Sequence, residues 1–141
     1  MSSPQTDCIF CKIIAGKLPC AKVYEDADTL AFMDIGPVSK GHTLVVPKIH
    51  CDPITAAPAD ALQKTILTVQ KVARALVKGL GAVAVTVTQA NGAHAGQVVP
   101  HVNFNLIPRF EGDAQARNWL PGKYESPDEM NRVAETIRRA L

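Results

Sequence analysis

Between Leu62 and Leu80 the apolar residues Leu62, Ile66, Val69, Ala73, Leu76 and Leu80 recur at steps of four, three, four, three and four. This spacing follows the 3.6-residue turn of an α-helix and gathers all six on one stripe. Pro58 and Asp60 suit its first turn, and Gly79 and Gly81 its end. A helix with so long an apolar stripe needs a surface to lie on, and strand-like runs flank it on both sides. Upstream, residues 21–25, 29–33 and 43–47 are rich in apolar and β-branched side chains, and Asp26-Ala27-Asp28 forms a polar turn between the first two. Downstream, residues 83–88 are β-branched apart from Ala84, which predicts a strand buried on one or both faces. A glycine-rich loop, Asn91-Gly92-Ala93-His94-Ala95-Gly96, leads to a last strand at residues 101–108. Strands joined by short turns favour an antiparallel sheet, so the chain is predicted to be an α+β domain with helices on one face.

Two shorter helices complete the pattern. Residues 8–15 read as one turn or two, with Asp7 as N-cap, Gly16 as the stop and Pro19 just beyond. After a tail that turns through Trp119 and Pro121, Ser126-Pro127-Asp128-Glu129 is a capping box with proline at the first helical position. Met130, Val133, Ala134, Ile137 and Leu141 give the helix that follows an apolar face. With 141 residues there is room for one domain, and 47% hydrophobic residues are enough for a core without disulfide staples. The core is expected over residues 7–110, with a tail and helix over 111–141.

The balance of charge narrows the choice of partner. A formal net charge of +2 gives no electrostatic argument for nucleic acid or an anionic membrane surface. No apolar run reaches the length of a membrane span, and the first seven residues lack the basic and apolar regions of a signal peptide. A cytoplasmic protein is expected. Cysteines at 8, 11, 20 and 51 are then expected to stay reduced. Cys8 and Cys11 form a Cys-x-x-Cys pair, which reads as half a metal site or as a redox pair. Cys20 and Cys51 read as semi-buried thiols, and Arg109, Arg138 and Arg139 as solvated charges.

The most informative segment runs Gly96-Gln97-Val98-Val99-Pro100-His101-Val102-Asn103-Phe104-Asn105-Leu106-Ile107-Pro108-Arg109. On a strand, His101, Asn103 and Asn105 share one face while Val102, Phe104 and Leu106 enter the core. Taken alone, this could be a half-solvated strand. The segment nonetheless resembles the signature of histidine-triad (HIT) proteins, His-x-His-x-His between Gly-Gln and Pro-Arg. The resemblance extends to Cys8-Ile9-Phe10-Cys11-Lys12-Ile13-Ile14, Phe32-Met33-Asp34-Ile35 and Gly41-His42-Thr43-Leu44-Val45-Val46-Pro47-Lys48, all in family order. It departs from the family at Asn103 and Asn105, where histidines are expected.

The resemblance implies a sheet of about five strands extended across a homodimer, and a purine nucleotide bound on that sheet. The family acts at the α-phosphate through a nucleotidyl-histidine, as hydrolases or phosphoramidases. The attacking position falls on Asn103, the leaving-group position on Asn105, and the first triad position on His101, with His42 behind them. Asp34 matches the residue that holds the ribose hydroxyls, and Ile9, Phe10 and Ile35 match an apolar clamp around the base. Asn91, Gly96 and Gln97 match the phosphate-side loop, and Val98 stands where some relatives carry a phosphate-touching serine. Bacterial-type relatives bind zinc at the positions of Cys8, Cys11, His50 and His101, a closed structural set.

The asparagines decide what chemistry is left. An imidazole nitrogen has a free lone pair and titrates near neutrality, so it attacks phosphorus and moves protons. A carboxamide nitrogen has its lone pair tied up in resonance. It donates hydrogen bonds to phosphate but does not act as a nucleophile. The expected chain binds nucleotide and turns it over poorly, which suits a natural relative that dropped turnover or a sequence altered to trap ligand. The alternative is a zinc-stabilised, non-catalytic dimeric interaction module with a vestigial pocket. Retention of Asp34, Asn91, Gly96 and Gln97 argues against it.

Overall fold

The computed structural model describes residues 7–113 and 120–141. The turn expected at Trp119 and most of the extreme N-terminal segment lie outside these residues. Helix α1 spans Ile9–Ile14, strands β1, β2 and β3 span Lys22–Glu25, Thr29–Met33 and Thr43–Pro47, and helix α2 spans Ala59–Leu80. Strands β4 and β5 span Ala84–Thr88 and Phe104–Arg109, and helix α3 spans Pro127–Arg139. The strands form one antiparallel sheet in the order β1-β2-β3-β5-β4, the α+β arrangement expected from sequence.

The two central strands are covered on both sides. From one face Val23, Ala31, Met33, Val45 and Leu106 meet Val69, Val72, Ala75 and Leu76 of α2 and Ala134 and Ile137 of α3. From the other, Leu30, Phe32, Leu44 and Val46 meet Phe10 and Cys11 of α1. The long helices therefore share the expected face, while α1 packs opposite. This explains why every residue of β2 and β3 is buried and why both read as nearly continuous apolar runs.

Helix α2 sits slightly rotated from the stripe read in the sequence. Its buried residues are Thr65, Thr68, Val69, Val72, Ala75 and Leu76, while Ile66 is 46% exposed. The rotation has a polar reason: Thr68 shares a 2.8 Å hydroxyl hydrogen bond with Thr29 of β2, and Thr65 donates to the Ala61 carbonyl at 2.7 Å. Small threonines can face the sheet because their hydroxyls are satisfied there. The helix ends at Gly81, whose φ of 71° lets its N–H return to the Val77 carbonyl.

Two local expectations change, the α1 N-cap and the solvation of Arg109, and a third is narrowed. The α1 N-cap is Cys8, not Asp7, because the Cys8 sulfur accepts the Cys11 N–H at 3.4 Å. Strand β4 is covered on one face only: it is the sheet's terminal strand, Val85 packs against the core, and Val87 and the preceding Val83 are exposed. Arg109 is not a solvated charge: its guanidinium is buried against the Thr86 hydroxyl and the Asp113 carboxylate. In contrast, α3 begins as expected, with the Ser126 hydroxyl accepting the Glu129 N–H. The Glu129 carboxylate closes back on the N–H of Glu125 rather than of Ser126.

Candidate functional site

The strand before Arg109 begins later than the alternation implied. Pairing starts at Phe104, so His101, Val102 and Asn103 lie in an irregular approach to β5. The expected common face is kept nonetheless: His101, like Asn103 and Asn105, lies on the face that carries α1. The His101 ring is fully buried beside α1, edge-on to Phe10 with 5.9 Å between ring centroids. Asn103 and Asn105 line an adjoining cleft that His101 does not reach. Two sites result.

The first is a cluster of sulfur and nitrogen. His101 Nε2 faces the Pro47 carbonyl at 2.9 Å, so that nitrogen carries the proton and Nδ1 keeps its lone pair. Nδ1 lies 3.5 Å from the Cys8 sulfur and 3.6 Å from the Cys11 sulfur, and the Cys11 sulfur lies 3.3 Å from Nδ1 of His50. All four donor atoms fall within 4.8 Å of one another. Thiolates at about 2.3 Å and imidazoles at about 2.05 Å from a tetrahedral zinc would stand about 3.6 Å apart. The donor set fits zinc. Burial holds His101 below the ordinary histidine range, which favours the neutral, ligating form.

The second site is a cleft of about 990 Å³ over the α1 face of the sheet. One end is polar. Asn103 donates from Nδ2 to the His101 carbonyl at 2.9 Å. A relay orients Asn105: the Val38 N–H donates to His42 Nδ1 at 3.1 Å, leaving His42 Nε2 to donate to Asn105 Oδ1 at 2.9 Å. Because His42 takes the carbonyl oxygen, the NH₂ of Asn105 is left for the cleft. Asp34 is a neighbour of this relay, with one carboxylate oxygen 3.6 Å from His42 and the other accepting the Gly36 N–H.

The other end is apolar. Phe10, Ile13, Phe32 and Leu44 form its floor, and Ile9, Ile35 and Val98 stand at its rim. Ile35 is 80% exposed and Val98 92% exposed. Apolar side chains this bare around a concave surface make the cleft a candidate binding site.

The glycine-rich loop is used differently from the expectation. Gly96 and Gln97 line the cleft. The Gln97 side chain is spent on bracing: it accepts the Gly92 N–H at 2.6 Å and donates to Asp52 and to the Val99 carbonyl. Asn91 does not reach the cleft wall. Its carbonyl oxygen accepts the Ile54 N–H at 2.7 Å, and its amide pairs with Gln89. His94 is an exposed loop residue.

Some of the wall had no sequence signal. Cys20, Pro121, Pro127, Met130 and Asn131 also line the cleft. They lie outside the segments that carry the resemblance, and only the return of the C-terminal segment brings most of them here. Cys20 is a half-buried thiol whose pKa burial raises.

Fold and site together describe a sheet-borne cleft with a polar, amide-lined end beside a Cys/His cluster. The HIT domain profile matches residues 15–112, and the chain belongs to that family. Among its relatives is an uncharacterized HIT-like protein of Methanocaldococcus jannaschii, 50% identical over 87% of this chain and 95% of the other. The adenosine 5'-monophosphoramidase hnt1 of Schizosaccharomyces pombe is 38% identical over 92% of this chain and 95% of its own length. A zinc-bound histidine triad protein of Mycobacterium smegmatis superposes with a TM-score of 0.85 at 30% identity, covering 95% of this chain and 92% of the other. Among the described residues no helix is long and apolar enough to cross a membrane.

Proposed function

We propose that this chain binds a purine mononucleotide in the cleft and hydrolyses nucleotide derivatives negligibly. The observation that carries this reading is the pair of amides at the polar end. Asn103 and Asn105 occupy the positions where chemistry is expected, and both are held by hydrogen bonds in orientations suited to binding. The Asn105 NH₂ donates to phosphate oxygens at this end of the cleft. Asp34 accepts from the ribose hydroxyls, and Ile9, Phe10 and Ile35 enclose the base. Neither amide offers a lone pair to phosphorus or a proton that titrates in the working range.

Zinc held by Cys8, Cys11, His50 and His101 would supply a closed structural anchor joining α1 to the end of β3 and to the approach to β5. His101 then serves structure, consistent with its burial away from the cleft. The chain is further proposed to be a homodimer that meets its copy through the 83–88 strand region and helix α2, extending the sheet across two chains; Val83 and Val87 are bare apolar side chains at that terminal strand. A cytoplasmic location suits four cysteines that form no disulfide.

Calorimetric titration with AMP tests the central reading, run beside an assay of adenosine phosphoramidate hydrolysis. The expected result is saturable one-to-one binding with turnover near background. Absence of binding would favour the non-catalytic interaction module, and rapid turnover would remove the assignment of Asn103.

A further inference from the structure

One wall of the cleft is built by a segment that follows the family-matched region. Residues 120–129 are strapped to the loop between β2 and β3. Gly122 donates its N–H to the Pro37 carbonyl at 2.7 Å, the Tyr124 hydroxyl accepts the Gly41 N–H at 2.9 Å, and Lys40 pairs with Glu129 at 2.7 Å. Pro121 comes within 3.5 Å of where a side chain on Gly36 would begin. That places the strap beside Asp34, two residues earlier. The strap delivers the start of α3 to the cleft, where Met130 and Asn131 join the wall.

A nucleotide is polar at its phosphate and apolar on its base faces, so it lies along this cleft in one direction. Phosphate meets the amide end, and the base meets Phe10, Ile13 and Phe32. The base still carries hydrogen-bonding groups on its edge. Apart from Asp34, Gln97, Asn103 and Asn105 at the polar end, the described wall offers two polar side chains, Cys20 and Asn131. A thiol is a weak donor and a weak acceptor. The Asn131 amide combines one strong donor group with one strong acceptor, and it has no hydrogen-bond partner among the described residues.

Resting on the nucleotide-binding reading, we propose that Asn131 is a specificity-determining residue that reads the edge of the base and favours adenine over guanine. The complementarity is chemical. Adenine presents its N6 amino donor beside the N7 acceptor, which an amide matches with its oxygen and its NH₂. Guanine presents two acceptors, O6 and N7, on the same edge, and an amide oxygen is repelled there.

Titrations of the parent chain and Asn131→Ala with AMP and with GMP test this. Asn131 is exposed at the rim and outside the core, and matched melting curves verify that the variant is folded. The parent is expected to prefer AMP. The variant is expected to lose roughly three- to tenfold in affinity for AMP, the range of one or two hydrogen bonds, with GMP changed less than about twofold. Equal loss for both nucleotides, or no loss for either, would overturn the assignment of Asn131 while leaving nucleotide binding intact. A parent that binds neither nucleotide would overturn the underlying reading, and this inference with it, in the first titration.

Discussion

Replacing Asn103 by histidine should restore turnover, and the geometry indicates by how much. The Asn103 NH₂ already donates to the His101 carbonyl at 2.9 Å. In Asn103→His the same acceptor would take the ring Nδ1–H, so the tautomer is set and the Nε2 lone pair faces the cleft. The cleft is roomy enough for the larger ring, since its volume is about 990 Å³. Nucleophile loss in comparable enzymes lowers kcat by about a millionfold, and imperfect placement forfeits part of that range. The single variant is therefore expected to raise kcat/KM for adenosine phosphoramidate by at least about a thousandfold, or roughly 4 kcal/mol in barrier.

Adding Asn105→His should contribute a further ten- to hundredfold, in the range of general-acid assistance. The relay supports this: His42 donates from Nε2 to position 105, so an imidazole there would accept with one nitrogen and present an N–H to the leaving group. Asn105→His alone should gain less than about tenfold, because it adds no group at the attacking position. The assay is AMP release by the four proteins, with mass spectrometry of rapidly quenched samples for a nucleotidyl adduct on the introduced imidazole. A parent chain as fast as the double variant, or a fast double variant without any adduct, would refute the reasoning.

Purified protein should carry close to one zinc per chain, and Cys11→Ser or chelation should lower the melting temperature; at metal a thousandfold above Kd the linked loss is about 4 kcal/mol, and a metal-free sample melting unchanged would count against the site. Light scattering should report a dimer that Val87→Lys converts to a single chain, because a charge on the terminal strand blocks strand pairing; a parent at the mass of one chain over all concentrations would exclude it. Burial disfavours the charge on Asp26, but the N–H groups of Asp28 and Thr29 and the hydroxyls of Tyr24 and Thr29 outweigh it and hold its pKa low. A carboxylate lowered on folding stabilises above its unfolded pKa of about 3.9, and that contribution is lost as pH falls through the lower folded value. In urea melts the stability gap between parent and Asp26→Asn should therefore be open at neutral pH and close in strong acid; a gap independent of pH would refute it.

Local chemistry alone determined a good deal about this protein. The bounds of β2 and β3, the Ser126 cap, the Gly81 stop and the antiparallel α+β class all rest on interactions between near neighbours, which a sequence displays directly. So does the loss of a nucleophile at Asn103, because the chemistry of an amide does not depend on the fold. Cys8 and Cys11 alone read equally as a metal or a redox pair. Adding His50 and His101 rested on resemblance, and only the fold brings residues so far apart in sequence within ligand distance. The facing of α2 turned on Thr29 meeting Thr68, a pairing across the sheet that no periodicity encodes. Alternation put His101 on one face with Asn103 and Asn105, but only the packing of α1 buries His101 at the Cys/His cluster and leaves the asparagines to the cleft. The far wall of the cleft was decided latest in the chain. Asn131 sits in an ordinary amphipathic helix, and it reaches the site because Gly122, Tyr124 and Glu129 tie the preceding strap to the loop beyond Asp34.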